Sequence, residues 1–149
     1  MRQIEVRPAE QKDWLSVWSL LHDRGNTDDD EAAYKRFLYM IDDSNHCLNV
    51  ATIDGYVVGY CWIQDYGPHL RTGQKAIRFH DLFVCETYRK KGVARALFEN
   101  GKQWAKDNGA NWFSWNANPN SSSFYTKLGY TPTPEEEEGF PYYEVEFID

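Results

Sequence analysis

Residues 46–64 hold two runs of strand character, His46–Ile53 and Tyr56–Gln64, joined by Asp54-Gly55 alone. A two-residue link leaves room only for a tight hairpin. Asp-Gly supplies the positive φ angles of the turn whose twist suits two antiparallel strands. At least part of the fold is therefore an antiparallel sheet, and the remaining elements have to be placed around it.

Gln3–Arg7 alternates and reads as an edge strand ended by Pro8. Trp14, Leu15, Val17, Trp18 and Leu21 recur at helical spacing, with Asp13 near the start. Arg24–Asp30 is polar and reads as a loop. Thr27 followed by Asp30 resembles a capping arrangement for a second helix carrying Tyr34, Phe37, Leu38 and Ile41. Asp65–Gly73, which contains Gly67-Pro68, reads as a loop, and Ala76–Val84 as the next strand. Val93, Ala94, Leu97, Phe98, Trp104 and Ala105 form one apolar stripe of a helix over Gly92–Asp107, ended by Asn108-Gly109. Trp112–Ala117 reads as a short strand, Ser121–Leu128 as a short helix stopped by Gly129, and Tyr142–Ile148 as a last strand. Glu135–Glu138 reads as a solvated loop. No repeat, linker or second domain is visible, so residues 1–149 read as a single domain. Strand–helix–strand passages late in the chain imply a mixed sheet with helices on its faces. Ligands in such sheets sit near strand C-termini, where the strand order changes.

One such strand end is marked by charge. Residues 89–95 read Arg-Lys-Lys-Gly-Val-Ala-Arg, four cations around a glycine in a chain of formal net charge -7. The stretch lies between a strand and a helix. First-turn N–H groups of a helix have no intrahelical partner, and the helix dipole favours negative charge there. Small residues let an anion approach the backbone. In an acidic protein this reads as a local phosphate site rather than part of a polyanion surface. The chain has neither Gly-x-x-x-x-Gly-Lys-Ser/Thr nor Gly-x-Gly-x-x-Gly, which leaves a nucleoside triphosphatase or dinucleotide oxidoreductase without its usual loop. There is no Gly-x-Ser-x-Gly turn and no His-Glu-x-x-His zinc helix.

Composition narrows the class further. Lys plus Arg number 16 against 23 Asp plus Glu, which argues against nonspecific nucleic-acid binding. The balance suits a cationic small molecule or a cationic protein tail. Cys47, Cys61 and Cys85 are odd in number and widely spaced, and read as reduced structural thiols of a cytoplasmic protein. With His22, His46, His69 and His80 they form no metal-ligand spacing, so no metal is expected. No apolar run approaches a membrane span, and the N-terminus has no apolar signal core.

At this point the pattern resembles the Gcn5-related N-acetyltransferase (GNAT) family. Arg89-Lys90-Lys91-Gly92-Val93-Ala94 is similar to that family's turn of Gln or Arg, two variable residues, Gly, one variable residue, and Gly or Ala. The family's turn binds the acetyl-CoA pyrophosphate through backbone N–H groups. Asp81-Leu82-Phe83-Val84 resembles the strand whose backbone pairs with the pantetheine arm. Asn118, Ser121, Tyr125, Gly129 and Tyr130 match a second signature, in which Ser121 replaces an Ala and Tyr130 a Phe. The resemblance covers the order of elements over nearly the whole chain. It implies an α/β (α+β) fold with a mixed, mostly antiparallel sheet of about six to seven strands flanked by about four helices.

The resemblance also implies direct transfer of an acetyl group from acetyl-CoA, as co-substrate, to a primary amine, most simply of a cationic small molecule. Leu82, Phe83, Val84, Arg89, Lys90, Lys91, Gly92, Val93, Ala94, Asn118 and Ser121 are then the cofactor-binding positions. The tetrahedral oxyanion needs a backbone donor, which Leu82–Val84 offers. A thiolate resembling cysteine's, of pKa about 8.5, can take a proton from a positioned Tyr of pKa about 10, and Tyr125 matches that role. Asp81 is the candidate base, with His80 beside it. Neighbours on a strand point to opposite faces, so one of the two at most is expected to face the acceptor. Ordered water is a third route for the proton. Asp28, Asp29, Asp30 and Glu31 lie where the family has a loop over the acceptor, and either attract a cation or cap and solvate the helix. Trp62, Tyr66 and Phe79 either line the pocket or fill the core. Three alternatives stay open: a CoA-binding regulatory module without catalysis, an enzyme acting on a protein amine, and a homodimer rather than a monomer.

Overall fold

The computed structural model describes residues 3–133 and 139–147. Two compact units divide the chain, Met1–Trp115 and Asn116–Asp149. The first contains β1 (Ile4–Pro8), a 3-10 turn at Gln11–Asp13, α1 (Trp14–Arg24), α2 (Asp30–Asp42), β2 (His46–Ile53), β3 (Tyr56–Pro68), β4 (Lys75–Val84), a 3-10 turn at Glu86–Tyr88, α3 (Val93–Asp107) and β5 (Trp112–Ser114). The strands form one sheet in sequence order. Three pairings are antiparallel, and β4 with β5 is parallel.

The hairpin occurs where its turn residues place it. Asp54 has φ 53° and Gly55 φ 83°, so both central residues take the positive angles of the tight turn. β3 runs on to Pro68, past the loop expected to begin at Asp65. Its pairing with β4 continues through Asp65 opposite Ile77 and resumes at Pro68 opposite Lys75. The ladder, held at Asp65 by its N–H bond to the Asn45 carbonyl and its ion pair with Lys75, outlasts the Gly67-Pro68 signal.

Two helical layers sandwich the sheet. One face carries Val50, Tyr60 and Phe83 against Val17 and Leu20 of α1 and Phe37 of α2. The other carries Cys61, Ile63 and Phe79 against α3, whose Leu97 and Phe98 are fully buried. Asp13 does not cap α1. Its carboxylate takes both Arg7 guanidinium nitrogens at 2.7 and 2.9 Å and the Glu10 N–H at 2.8 Å, tying β1 to the helix start. Capping of α2 falls to Asp29, whose side chain accepts the Ala32 N–H, and not to the Thr27–Asp30 pair.

In the second unit α4 spans Ser122–Lys127, and Gly129 at φ 97° ends it. The described sheet has five strands, fewer than expected. β5 stops at Ser114, short of Ala117. Residues 140–147 form no strand, and Phe140, Tyr142, Tyr143, Val145 and Phe147 are all exposed. Alternation produces a strand only where a sheet edge receives its N–H and C=O groups. Glu135–Glu138 and Ile148 lie outside the described residues.

A Cβ at Gly59 would lie 2.9 Å from the Phe83 carbonyl oxygen, 3.2 Å from Leu97 Cδ1 and 3.3 Å from Val84 Cγ2. Gly59→Ala is expected to lower stability by about 1–3 kcal/mol through overpacking. Urea unfolding should show this as a lower midpoint at unchanged slope. Gly25→Ala, with nothing within 4 Å, is the silent control.

Candidate active site

The site is organised by one irregularity in β4. Trp62 pairs with Asp81, but the next residue, Ile63, pairs with Phe79. His80 is therefore an extra residue, a β-bulge. Strict alternation would put His80 and Asp81 on opposite faces. The bulge instead brings both to the face covered by α1 and α2, where Asp81 bonds Tyr60 and His80 stacks on Trp62. Both side chains therefore share one face of the sheet, and of the two Asp81 lines the pockets there.

Three donors meet the Asp81 carboxylate. The Tyr60 hydroxyl donates to Oδ2 at 2.5 Å, Arg24 Nε donates to Oδ1 at 3.2 Å, and the Leu82 N–H donates to the same Oδ1 at 3.0 Å. Tyr60 is 2% exposed. Burial first, and then the Asp81 charge, lifts its ionisation well above the usual phenol range, so it remains a donor. These groups border a pocket of about 520 Å³ lined by Trp18, Arg24, Thr27, Asp28, Tyr60 and Asp81. Arg36 grips Asp28 across it with two bonds of 2.9 and 2.8 Å, which holds the Asp28 carboxyl below its ordinary range. The wall thus carries two cations and two anions, each paired.

Behind Asp81, β4 has an open edge. β5 pairs only with Ala76–Arg78, leaving Phe79–Val84 without a strand on that side among the described residues. The Cys85 N–H donates to the Val58 carbonyl on the β3 side at 2.8 Å. Alternation then directs the Leu82 and Val84 backbone groups toward the open edge. The Val84 carbonyl accepts Arg89 Nε at 3.0 Å, and the Arg89 guanidinium lies over the Phe83 ring at 5.2 Å. Lys91 lies over Tyr88 at 5.5 Å. Lys90 at φ 62° and Gly92 at φ 88° both take left-handed backbone, and Val93 begins the helix. No described residue accepts the N–H groups of Gly92, Val93, Ala94 or Arg95. Residues 92–95 therefore present main-chain donors, while the side chains of Arg89 and Lys91 just before them lie against aromatic rings.

In the second unit, Asn118 Oδ1 accepts the N–H groups of Asn120 and Ser121, both at 2.9 Å, and Ser121 Oγ accepts the Asn118 N–H at 3.0 Å. This closed turn leads into α4, on which Tyr125 is buried. Among the described residues no group of His, Cys, Asp and Glu is arranged to hold a metal, and no described helix is long and apolar enough to cross a membrane.

Sequence reasoning missed Tyr60, Arg24 and Arg36. Tyr60 sits inside an apolar hairpin run, and Arg24 closes an amphipathic helix. Neither carries a local signal, because their role comes from partners 21 and 57 residues away.

Residues 9–130 match the Acetyltransferase (GNAT) family. The chain belongs to that family and is an N-acetyltransferase, in a class that takes its acetyl group from acetyl-CoA. Comparison with curated proteins gives no match. Solved structures share the fold. Glucosamine-6-phosphate N-acetyltransferase from Arabidopsis thaliana is 19% identical with TM-score 0.79, covering 93% of this chain and 98% of that one. Aminoglycoside N-acetyltransferase AAC(6')-Iy, in complex with CoA, is 16% identical with TM-score 0.78 over 97% and 96%. Ribosomal-protein-alanine N-acetyltransferase from Brucella melitensis biovar Abortus 2308 is 20% identical with TM-score 0.73 over 97% and 100%.

Asp81→Ala leaves the buried Tyr60 hydroxyl without its acceptor and is expected to destabilise by about 1–3 kcal/mol. Tyr60→Phe removes the donor and leaves Asp81 with Arg24 and Leu82, so it should cost less. Thermal unfolding of the two variants and the double variant, which should fall short of the sum, checks this.

Proposed function

We propose that residues 1–149 act as one N-acetyltransferase domain that moves the acetyl group of acetyl-CoA to a primary amine of a small cationic molecule. The observation that carries the reading is the open edge of β4 running into a helix start with unpartnered N–H groups. An extended amide-bearing chain can pair with the first, and a pyrophosphate suits the second. A Cβ added at Gly92 would approach only Ile4 Cδ1, at 3.8 Å, so the space in front of that backbone is clear. The residues present fit acetyl-CoA, which supplies an activated thioester.

Each assigned residue has a limited task. Gly92, Val93 and Ala94 offer main-chain donors, with Arg89, Lys90 and Lys91 adding positive charge. Of Leu82, Phe83 and Val84, the first and last turn their main chain to the open edge of β4, where the Leu82 carbonyl and the Val84 N–H have no described strand partner. Asn118 and Ser121 are assigned to cofactor contact on the second signature alone, and Tyr125 to protonation of the departing sulfur on the same ground. Asp81 and Asp28 contribute to acceptor binding, since an ammonium group competes with Arg24 and Arg36 for their carboxylates. The net charge of -7 draws a cation toward the protein. A pocket of about 520 Å³ suits a small molecule.

A screen of primary amines with acetyl-CoA, read by released thiol, tests the reading. Turnover confined to neutral or anionic amines would refute the cationic acceptor, and no turnover would refute the activity. Acetyl-CoA should raise Tm, because it binds the folded state. Gly92→Asp, which adds negative charge at a φ of 88°, should abolish that rise. Unchanged affinity would overturn the pyrophosphate assignment. Tyr125→Phe keeps the ring and removes the proton. It should lower kcat by roughly 10²–10⁴-fold with acetyl-CoA affinity unchanged. Equal single-turnover rates at saturating acetyl-CoA would exclude that role.

A further inference from the structure

A second cavity, of about 210 Å³, meets the larger pocket at a shared wall of Leu21, Arg36, Tyr60 and Asp81. Its charged and hydroxyl groups all stand in that wall. Every other residue around it is apolar or aromatic, among them Trp14 of α1, Phe37 and Met40 of α2, and Leu48 and Trp62, which pair across β2 and β3. The polar groups in the wall are already engaged: Arg36 by Asp28, the Tyr60 hydroxyl by Asp81, and Asp81 by three donors. The Trp62 indole N–H is given to His46 Nδ1 at 3.1 Å. A hydroxyl placed among Phe37, Met40 and Leu48 loses its water and gains no partner, which costs free energy. A hydrocarbon placed there loses only water.

The walls are held in place. Trp14 stacks on Trp18 with ring centroids 5.1 Å apart, and packs on Tyr34 and Phe37, each at 5.3 Å. Val17, Ala33 and Phe37, which also line the cavity, are buried. Trp14 and Trp18 lie four apart on α1 and so share a face; Trp14 lines the smaller cavity and Trp18 the larger. Protein interiors are close-packed and leave few voids larger than a water molecule. An apolar cavity of about 150 Å³ holds a benzene. The cavity here takes one ring with a short chain.

We infer that the acceptor is an amphipathic primary amine, with its ammonium group at Asp81 and an apolar body, a single ring or short alkyl chain, in the cavity walled by Trp14, Phe37, Met40 and Trp62. This deepens the acetyl-transfer reading above and rests on it. The positive charge that reading requires is the ammonium group itself. Asp81 lines both cavities and precedes Leu82, which borders the open edge of β4 assigned to the acetyl donor. The carbon–nitrogen bond forms as the carbon–sulfur bond breaks, the sulfur leaves with the electron pair and is protonated, and the amine proton passes to water. Met40, unbranched and soft, lets the far wall follow the shape of the apolar body. Polyhydroxylated amines are disfavoured by the same walls.

Wild type is assayed at saturating acetyl-CoA with the linear alkylamines from methylamine to pentylamine, 2-phenylethylamine, 1,4-diaminobutane and glucosamine. Along the alkyl series kcat/KM should rise roughly fourfold for each methylene. 2-Phenylethylamine should exceed diaminobutane and glucosamine by roughly tenfold or more. Ala33→Leu, whose added carbons enter the cavity, should lower the ratio of kcat/KM for 2-phenylethylamine to that for methylamine by roughly tenfold. Met40→Ala widens the cavity and should move the optimum to a longer alkylamine; with the alkyl series it decides the matter even if Ala33→Leu does not fold. With CoA bound in place of acetyl-CoA, 2-phenylethylamine should change the tryptophan fluorescence of wild type. A flat alkyl series, glucosamine or diaminobutane as the best substrate, or turnover only of other amines in the screen overturns the inference and leaves acetyl transfer intact. If wild type acetylates no amine at all, the acetyl-transfer reading itself fails and this one with it.

Discussion

A strand has two edges, and β4 uses its two edges differently. Along the β3 edge it is paired from Lys75 to Val84 with two breaks in register, at His80 and at Ala76. Along the β5 edge only Ala76–Arg78 are paired. The first edge holds the strand, and the second meets no described strand beyond Arg78, the Leu82 N–H and the Val84 carbonyl taking side-chain partners instead. Backbone polar groups left unpaired in a protein require a partner of some kind. The open half of β4 is therefore both the least self-sufficient part of the sheet and the part best suited to receive an extended ligand. Gly59 permits the pairing along β3, because the backbone of β3 passes too close to Phe83 and Val84 for any side chain.

The charges around the pocket are matched in pairs. Asp28 with Arg36 and Asp81 with Arg24 leave the wall neutral in sum. Exposed ion pairs contribute little to stability. The acidic stretch Asp28–Glu31 is consequently not a free anionic patch. Asp28 is gripped by Arg36, Asp29 caps α2, and Glu31 lies 3.6 Å from Lys35.

Much of this is legible in the sequence. The hairpin limits His46–Ile53 and Tyr56, the helix beginning after Gly92 and the stop near Asn108-Gly109 all follow from backbone chemistry local to those residues. Features set by pairing were not readable. β3 continues past Asp65 because β4 holds it, and Tyr142–Phe147 stays irregular because no described edge receives it. The bulge was invisible for the same reason. His80-Asp81 looks like any other dipeptide of a strand, and only the register against Trp62 and Ile63 shows that the count is one too many. Tyr60, Arg24 and Asp81 meet from three distant places in the chain, so no local pattern joins them.

An extra residue in a strand has a property that a substituted one lacks. Because His80 stands outside the one-to-one count between β3 and β4, removing it would leave Phe79 opposite Ile63 and Asp81 opposite Trp62 as before. Phe79 could stay in the core and Asp81 on Tyr60. Loss of a single codon at this place therefore subtracts an imidazole without asking the core to repack. In most strands such a change would turn every following side chain inside out. At this position the sheet tolerates the loss of a residue with its register unchanged.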